Sequence, residues 1–546
     1  MNGNTCYFRL MKNYSSLLFF LFISAISCAQ QITFQKTFGG GNIEQGYSIQ
    51  QTSDGGYIIA GGSASFGSGI DDVYLIKTNA NGNSLWIKTF GGTDIEEGNS
   101  IQQTTDGGFI ISGYTQSFGA GNSDVYLIKT DANGDALWTK IFGGTGFDWG
   151  NSVQQTIDGG YIVTGITNSF GAGYDDVYLI KTDANGNSLW TKTFGGTNHD
   201  LGFSVQQTTD GGYIIIGKTY NFGAGDMDVY LIKTDVNGDA LWTKTFGGTG
   251  VDEGYSVQQT TDAGYVITGW TNSFGAGTFD VYLIKTDTNG DSLWTKTFGG
   301  TNVDVGVSVQ QTTDGGYIVT GYTTIFGAGT FDVYLIKTDA NGDSLWTKTF
   351  GGINTDYGYS VQQTSDGGYI IIGSAQSFGS GSSDIYLIKT DSMGNSGCNQ
   401  TNPATIVTTP ATQVTSPATI VNSPPTIVTN PATVVGSGGT VTTLCTTVSI
   451  QYPISNFNFP ISISPNPATP DASGFTITFP HLINKGVIEI YNVLGEKVVE
   501  ESVVNASAKE IRMNPAYTAG RDIAAGIYVV KVIADEKHYS AKLAVE

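Results

Sequence analysis

Two acidic positions recur every 52 residues and are the residues best placed to do chemistry. Carboxylates gathered on one face bind divalent cations, so they predict a calcium site or cation-assisted recognition. The competing interpretation, which the seven-fold repetition favours, is that each carboxylate accepts backbone N–H groups in its own turn. The first position, the candidate metal site, holds Glu44, Glu96, Asp148, Asp200, Asp252, Asp304 and Asp356. The second holds Asp72, Asp124, Asp176, Asp228, Asp280, Asp332 and Asp384.

A different kind of site is predicted by positions that change from repeat to repeat. One such position directly follows the first acidic residue, and the other is at the end of the second predicted strand of each repeat. Aromatic rings there stack on sugar rings or anchor a peptide. Ordinary packing between neighbouring repeats is the alternative. The candidate ligand-binding residues are the aromatic ones, Tyr114, Trp149, Trp270, Tyr322 and Tyr357.

Side chains for nucleophilic catalysis are scarce in the repeats. They contain a single histidine, His199, and no arginine, so no Ser-His-Asp or Cys-His set can be assembled. No cluster has the spacing of metal ligands. Paired carboxylates for glycoside hydrolysis stay open, but nothing singles out a pair. We therefore expect a protein that is not an enzyme and has no cofactor, with calcium as the open alternative.

A 52-residue unit must position these residues. Within it, four short runs rich in Val, Ile, Tyr and Thr are separated by Thr-Asp-Gly-Gly, Phe-Gly-Ala-Gly and Asn-Gly turns. This pattern predicts an antiparallel meander of four strands, which is typical of a propeller blade. The unit is marked by Phe-Gly-Gly beginning at Phe38, Phe90, Phe142, Phe194, Phe246, Phe298 and Phe350.

The two ends of the array predict a closed ring. The seventh unit lacks its Leu-Trp strand after Thr390, whereas residues 32–38 supply a spare one at the N-terminus. Pairing the two removes the open edge of a linear array. We predict an all-β, seven-bladed β-propeller over residues 30–396, whose N-terminal strand closes the last blade. It resembles the secreted bacterial β-propeller repeat families, with the strand closure of WD-repeat proteins.

Charge and glycine content agree with this architecture. The chain has 546 residues, 76 of them glycine, and a net charge of −22. High glycine content indicates many tight turns. The predicted propeller carries all of the net negative charge, which argues against nucleic acid or an anionic membrane as a partner.

The first 29 residues predict export. Arg9 and Lys12 precede an apolar run, residues 17–26, and small residues end at Ala29. This is the pattern of a cleaved secretory signal peptide, and the run is too short for a transmembrane segment. Removing it leaves two cysteines, Cys398 and Cys445. In an exported protein they predict a disulfide, with two free thiols as the alternative.

Residues 397–458 form a segment rich in Pro, Thr and Ser. It has no charged residue, and its prolines recur every seven residues. Proline at this density favours an extended, stiff chain. We therefore predict a spacer that holds the propeller away from the cell. The prolines that set the period are Pro403, Pro410, Pro417, Pro424 and Pro431.

Residues 459–546 predict a small Ig-like β-sandwich of five or more short strands. The sequences SPNP, IEIYNVLGEKV, AAGIYVVKV and SAKLAVE occur in this order. They resemble the type A C-terminal sorting domain of the type IX secretion system. The resemblance implies the secretion machinery of a Gram-negative bacterium as partner. It also implies passage through the periplasm to the outer cell surface or the medium.

The function expected from the sequence is that of a secreted or cell-surface binding and adhesion module without enzymatic activity. Its ligand would be a glycan or a protein, bound through the loop face of the propeller. A carbohydrate-active hydrolase or lyase that uses face carboxylates is the main alternative. A purely structural surface component is the third.

Overall fold

The computed structural model describes residues 31–410, 412–415, 420–422, 427–429, 434–436, 438–449, 462–464, 475–492, 497–513, 526–534 and 537–545. These residues form strands and turns, with no α-helix among them. Accordingly, none of this described part offers a helix long and apolar enough to cross a membrane. The predicted signal peptide lies outside the described residues.

The first 28 strands build seven blades around a central channel. In each blade the strands pair antiparallel in chain order, as the turn chemistry predicted. Strand β1 is Gln31–Gly39. Blade 1 is β2 (Glu44–Gln51), β3 (Tyr57–Ser63), β4 (Asp72–Thr78) and β5 (Ser84–Gly91). Blade 2 is β6 (Glu96–Gln103), β7 (Phe109–Thr115), β8 (Asp124–Thr130) and β9 (Ala136–Gly143).

The same four-strand pattern continues round the ring. Blade 3 is β10 (Asp148–Gln155), β11 (Tyr161–Thr167), β12 (Asp176–Thr182) and β13 (Ser188–Gly195). Blade 4 is β14 (Asp200–Gln207), β15 (Tyr213–Thr219), β16 (Asp228–Thr234) and β17 (Ala240–Gly247). Blade 5 is β18 (Asp252–Gln259), β19 (Tyr265–Thr271), β20 (Asp280–Thr286) and β21 (Ser292–Gly299). Blade 6 is β22 (Asp304–Gln311), β23 (Tyr317–Thr323), β24 (Asp332–Thr338) and β25 (Ser344–Phe350).

The seventh blade joins the two ends of the propeller. It contains β26 (Asp356–Gln363), β27 (Tyr369–Ala375) and β28 (Asp384–Thr390). Its fourth strand is β1, which pairs antiparallel with β28 from Phe34–Lys389 to Phe38–Ile385. The predicted closure by the N-terminal strand is confirmed.

The hydrophobic core lies between the blades. The two middle strands of each blade are almost fully buried, and their side chains meet those of the next blade. At the first interface Leu75 and Phe90 of blade 1 pack against Ile111 and Tyr126 of blade 2. Such burial is the main source of stability, at roughly 25 cal/mol per Å² of apolar area.

The chain after the propeller forms a belt around it. In the described residues 400–449, seven short strands pair one by one with the outermost strands of the blades. The order runs backwards through blades 6, 5, 4, 3, 2 and 1 and ends on blade 7. The belt strands are β29 (Gln400–Thr401), β30 (Ile406–Thr408), β31 (Gln413–Thr415), β32 (Ile420–Asn422), β33 (Ile427–Thr429), β34 (Val434–Gly436) and β35 (Thr440–Ser449).

The expected spacer is therefore corrected over these strands, which lie against the blades instead of extending away from them. The physical reason is the unpaired edge that the outermost strand of each blade would otherwise expose. Seven extended residues span ~23 Å, so one proline period carries the chain from one blade to the next. Proline lacks an N–H, which an edge strand tolerates. The domain boundaries themselves stay predictions.

The contacts between belt and propeller repeat every seven residues along the belt and every 52 residues along the propeller. Thr347 of blade 6 donates to the carbonyl of Pro403 over 2.9 Å. One blade back and seven belt residues on, Thr295 donates to the carbonyl of Pro410 over 2.8 Å. Cys398 and Cys445 form a disulfide across the two ends of the belt.

The C-terminal domain is also all-β. Its described strands are β36 (Ser462–Ser464), β37 (Phe475–Asn492), β38 (Lys497–Met513), β39 (Gly526–Ala534) and β40 (Lys537–Val545). They form one sheet in the order β36-β37-β39-β40, with β38 paired to β37. The strand β37 has 18 residues, where short strands were predicted. Buried side chains on the sheet include Ile477, Ile488 and Val530.

Candidate functional site

The first acidic position is used inside the fold. Its seven carboxylate residues are fully buried. In blade 1, Glu44 accepts the N–H of Gly40 over 2.6 Å and also bonds Ser63 and Ser65, each over 3.0 Å. The same glycine N–H bond, 2.6–2.8 Å long, recurs in all seven blades. These contacts favour the interpretation that the carboxylates hold their own turns.

The carboxylates at the second acidic position also accept hydrogen bonds within the fold. Its residues are no more than 1 % exposed. Each accepts a backbone N–H in the turn before the third strand, as Asp72 does from Gly69 over 2.9 Å. Burial and the carboxylate of Asp148 raise the pKa of Asp124 to about 6. In the described part of the chain no three His, Cys, Asp or Glu side chains converge as a metal site, so calcium stays a prediction.

Four of the five variable aromatic residues form two pairs across blade boundaries, and the fifth packs within its own blade. Tyr114 stacks on Trp149 with ring centroids 5.1 Å apart, and Tyr322 meets Tyr357 at 4.9 Å. Trp270 packs its ring edge-to-face with Phe279 of its own blade at 4.5 Å. In the first two pairs, the residue at the end of a blade's second strand thus contacts the first strand of the next blade. Both predicted ideas, packing and an exposed aromatic surface, describe part of this arrangement, since Trp149 stays 38 % exposed.

Sequence reasoning missed a third variable position, which lines the central channel. It is two residues after the aromatic position on the first strand, as Tyr359 is after Tyr357, and these two rings stack at 5.9 Å. The channel widens here into a cavity of about 310 Å³. Its variable lining residues are Tyr47, Asn99, Asn151, Phe203, Tyr255, Val307 and Tyr359.

A β-bulge explains why this position was missed. The pairing between the first two strands of blade 1 shifts register between Gly46 and Ser48, which leaves Tyr47 as the extra residue. A bulge re-aims a side chain, so counting alternate residues fails here. The first strands of the other blades carry the same shift. A signal was nevertheless present, because this residue varies where its neighbours do not.

Glutamines close the far end of the channel. The side-chain carbonyl of Gln50 accepts the N–H of Gln103 in the next blade over 2.6 Å. Equivalent bonds of 2.5–2.6 Å link all seven blades in a ring. The repeated residues therefore build the ring, whereas the variable ones gather at the opposite mouth.

Two charged groups on the mouth face depart from the repeat. Lys218 donates to Glu253 over 2.7 Å, and both side chains are mostly buried. His199 lies 2.6 Å from Asp175 and stacks on Tyr174 at 5.1 Å. These pairs lie in or between blades 3, 4 and 5.

A third group, on blades 1 and 2, consists of acids without a cation. The Tyr47 hydroxyl donates to Gln45 over 2.5 Å. Burial raises the pKa of Glu97, while the nearby Tyr114 and Tyr47 hydroxyls lower it. Burial, then the charges of Glu97, Asp72 and Glu44, raise the pKa of Asp71 to about 7. The Oδ1 atom of Asp71 is buried without a hydrogen-bond partner. This end of the mouth therefore holds two acidic side chains that form no ion pair with a described lysine or arginine.

Comparison with known proteins identifies the C-terminal domain. Residues 462–546 match the family described as the secretion system C-terminal sorting domain. The regulatory protein FlaEY of Caulobacter vibrioides is 25 % identical over 228 residues, which are 35 % of this chain and 24 % of that protein. An uncharacterized WD repeat-containing protein, L264, of Acanthamoeba polyphaga mimivirus is 22 % identical over 387 residues, 56 % of this chain and 26 % of that protein. The chain thus spans about a quarter of the length of these relatives.

Among solved structures, that of PorZ, a surface component of the type IX secretion system of Porphyromonas gingivalis, is similar. It has a TM-score of 0.35 and 13 % identity, over 90 % of this chain and 58 % of that one. The sorting domain match shows that the protein is exported by the type IX secretion route to the cell surface or the medium.

Proposed function

We propose that this exported propeller is a binding module, without enzymatic activity, that engages a glycan or protein through the channel mouth. The observation that carries the proposal is the convergence of variable aromatic residues on one face. Tyr114 with Trp149, and Tyr322 with Tyr357, form two ring pairs there. Paired, partly exposed rings present a flat apolar surface that suits a sugar ring or a peptide side chain.

The distribution of variation supports the proposal. Positions whose side chains make structural hydrogen bonds, such as Glu44 and Gln50, hardly change from blade to blade. The three positions around the mouth vary between blades, and no two blades carry the same combination of residues, so each blade offers a different contact. A closed ring with one varied face is the arrangement expected of a recognition surface on a common scaffold.

The test is a glycan and peptide array probed with the full-length protein, with and without calcium. Selective binding is expected, and the double variant Trp149→Ala/Tyr357→Ala should lose it while unfolding at a similar temperature. Leu137→Ala is the matched control, because Leu137 is 59 % exposed on the outer strand of blade 2, away from the mouth. A folded protein that binds nothing, or equal loss in the control, would contradict the proposal and favour a structural surface component.

A carbohydrate-active hydrolase or lyase is the second candidate. Asp71 and Glu97 form the carboxylate pair that the sequence did not single out, and Asp71 is the one whose pKa is raised to about 7. A glycosidase needs one protonated and one ionised carboxyl group. Release of reducing ends from an array hit, abolished by Glu97→Gln in a folded protein, would establish this alternative instead.

A further inference from the structure

One niche at the channel mouth differs from its equivalents by a missing side chain. Gly62 occupies the position that holds Tyr114, Ile166, Lys218, Trp270, Tyr322 and Ser374 in the other blades. It has an ordinary strand conformation, and a Cβ atom there would lie 3.1 Å from Oδ1 of Asp71 and 3.4 Å from Cγ of Glu97. The neighbouring repeat glycine, Gly61, is different, because its Cβ would lie 1.8 Å from the carbonyl oxygen of Gln45. Packing therefore demands glycine at 61 but not at 62.

Blade 4 shows what fills the equivalent space. Three repeats further along the chain, Gly62 corresponds to Lys218, Glu97 to Glu253 and Tyr47 to Phe203. The ammonium group of Lys218 bonds the carboxylate of Glu253 over 2.7 Å and lies 5.8 Å from the centre of the Phe203 ring. Around Lys218 of blade 4, the residues equivalent to Glu97 and Tyr47 thus already hold an ammonium group.

The niche at blade 1 has the same carboxylate in Glu97 and an aromatic ring in Tyr47, but glycine in place of the lysine. Asp71 adds a second carboxylate, where blade 4 has Met227. Oδ1 of Asp71 is buried without a partner, and no described lysine or arginine forms an ion pair with Asp71 or Glu97. Buried carboxylates without a counter-charge are unfavourable, and a cation that enters the niche removes that penalty.

We propose that the niche formed by Tyr47, Gly62, Asp71 and Glu97 binds the ammonium group of a lysine side chain from a protein partner. The ammonium group would take the place that Lys218 occupies in its own blade. A lysine side chain is the group that fills the equivalent space in blade 4, whereas an amine on a ring is bulkier next to the charge. The inference rests on the proposed function, since it names the chemistry of one part of that binding face.

The pH dependence of binding follows from the same groups. The carboxylates of Glu97, Asp72 and Glu44 favour the protonated form of Asp71, while the Tyr114 and Tyr47 hydroxyls near Glu97 lower the pKa of Glu97. A proton on Asp71 competes with the ligand. Affinity for an ammonium group should therefore be higher at pH 8 than at pH 5.5.

The test uses saturation-transfer NMR on the full-length protein with Nα-acetyl-lysine methylamide as probe. Nα-acetyl-norleucine methylamide, which lacks the charge, and glucosamine, whose amine is on a ring, are the comparison probes. Saturable binding of the lysine probe alone is expected, and Glu97→Gln should weaken it at least about tenfold. Asp226→Asn is the matched control, because Asp226 is an exposed carboxylate on the same face, and it should leave binding unchanged.

Gly62→Lys supplies an independent check. The new side chain should fill the niche, pair with Glu97 and abolish binding of the lysine probe without lowering the melting temperature. Equal binding of lysine and norleucine probes, equal effects of Glu97→Gln and Asp226→Asn, or binding of glucosamine alone would overturn the proposal. Array ligands that bind through Trp149 or Tyr357 while the lysine probe does not would leave the proposed function standing and refute this inference by itself.

Discussion

Asp124 of blade 2 and Asp148 of blade 3 direct their carboxylates at the same backbone atom. A Cβ atom on Gly143 would lie 1.9 Å from Oδ1 of Asp124 and 2.8 Å from Oδ2 of Asp148. The relationship recurs at the first glycine of every Phe-Gly-Gly tripeptide. The tripeptide therefore marks a place where two neighbouring blades bring like charges together.

Stability should fall as the pH rises from about 5 to 8. Burial raises the pKa of Asp124 to about 6 and that of Asp71 to about 7, from 3.8. A raised pKa means that the folded protein holds more protons than the unfolded chain, so this contribution is complete below 3.8 and is lost as the pH rises through 6 to 7. Melting temperatures measured across this range should decrease. A steady increase up to pH 8 would contradict the prediction.

A second limb is expected in strong acid. Burial alone would raise the pKa of Asp54, but hydrogen bonds from Thr52, Lys77 and Gly56 outweigh it and lower that pKa to about 2. This contribution is present above 3.8 and is lost as the pH falls toward 2. The melting temperature should therefore be highest at about pH 4 to 5. Asp54→Asn should reduce only the acid limb, and only in part, because the pKa of the equivalent aspartates is lowered in the other six blades: Asp106, Asp158, Asp210, Asp262, Asp314 and Asp366.

Adjacent glycines should respond differently to alanine. Gly61→Ala places a Cβ 1.8 Å from a backbone carbonyl oxygen, whereas Gly62→Ala meets only movable carboxylate groups beyond 3 Å. We expect a loss of about 3 kcal/mol in unfolding free energy for the first and less than about 1 kcal/mol for the second. Urea denaturation of both variants makes the comparison, and equal losses would refute the assigned roles.

Replacing a tryptophan at the blade interface should cost more stability than replacing one at the channel mouth. Trp138 packs edge-on against Tyr161 at 5.9 Å, and Trp138→Ala should cost about 3 kcal/mol. Trp149 lies at the mouth, where it stacks on Tyr114 and donates to Ser123 over 2.7 Å. Trp149→Ala should cost about 1 kcal/mol. Thermal unfolding tests the order, and a larger loss for Trp149 would give it a structural role.

Reducing the disulfide should destabilise the propeller as well as the belt. Cys398 and Cys445 are 47 residues apart, and opening a loop of this size lowers stability by about 2–4 kcal/mol. The Cys398→Ser/Cys445→Ser variant should melt at a lower temperature and be insensitive to reductant. An unchanged melting temperature would mean that the belt contributes little to blade closure.

Calcium should leave the melting temperature unchanged. Each buried carboxylate accepts a backbone N–H, as Asp148 does from Gly144 over 2.8 Å. Oδ1 of Asp72, Asp200, Asp252 and Asp304 has no hydrogen-bond partner, but no three potential ligands converge among the described residues. Titration of calcium into chelator-treated protein checks this expectation. A saturable rise in melting temperature would restore the acidic positions as metal sites.

The blades could be predicted because their information is local and repeated. Asn-Gly turns, alternating apolar runs and the constant spacing of Phe90, Phe142 and their equivalents determine strand, turn and blade, and the unpaired N-terminal strand determines closure. The belt was missed because its first six strands have only two or three residues, too short for an apolar pattern. A period of seven residues beside a ring of seven blades was the available signal.

The site was predictable only in part. Trp149 and Tyr357 were found because they vary, whereas Tyr47 was hidden by the β-bulge that turns it into the channel. Asp71 and Glu97 come from different blades and approach each other only through the geometry of the ring. No spacing rule along the chain relates them, and the meaning of Gly62 appears only by comparison with Lys218.

The disulfide gives the belt a topological consequence. Starting at Cys398 on blade 7, the chain passes every blade and returns to Cys445 on blade 7, so its sulfur–sulfur bond closes a covalent hoop around the ring of blades. Such a covalently closed loop resists the outward movement of all seven blades at once. It also dictates an order of assembly, because the blades must gather before the hoop is locked, or else the chain has to thread through a ring already closed.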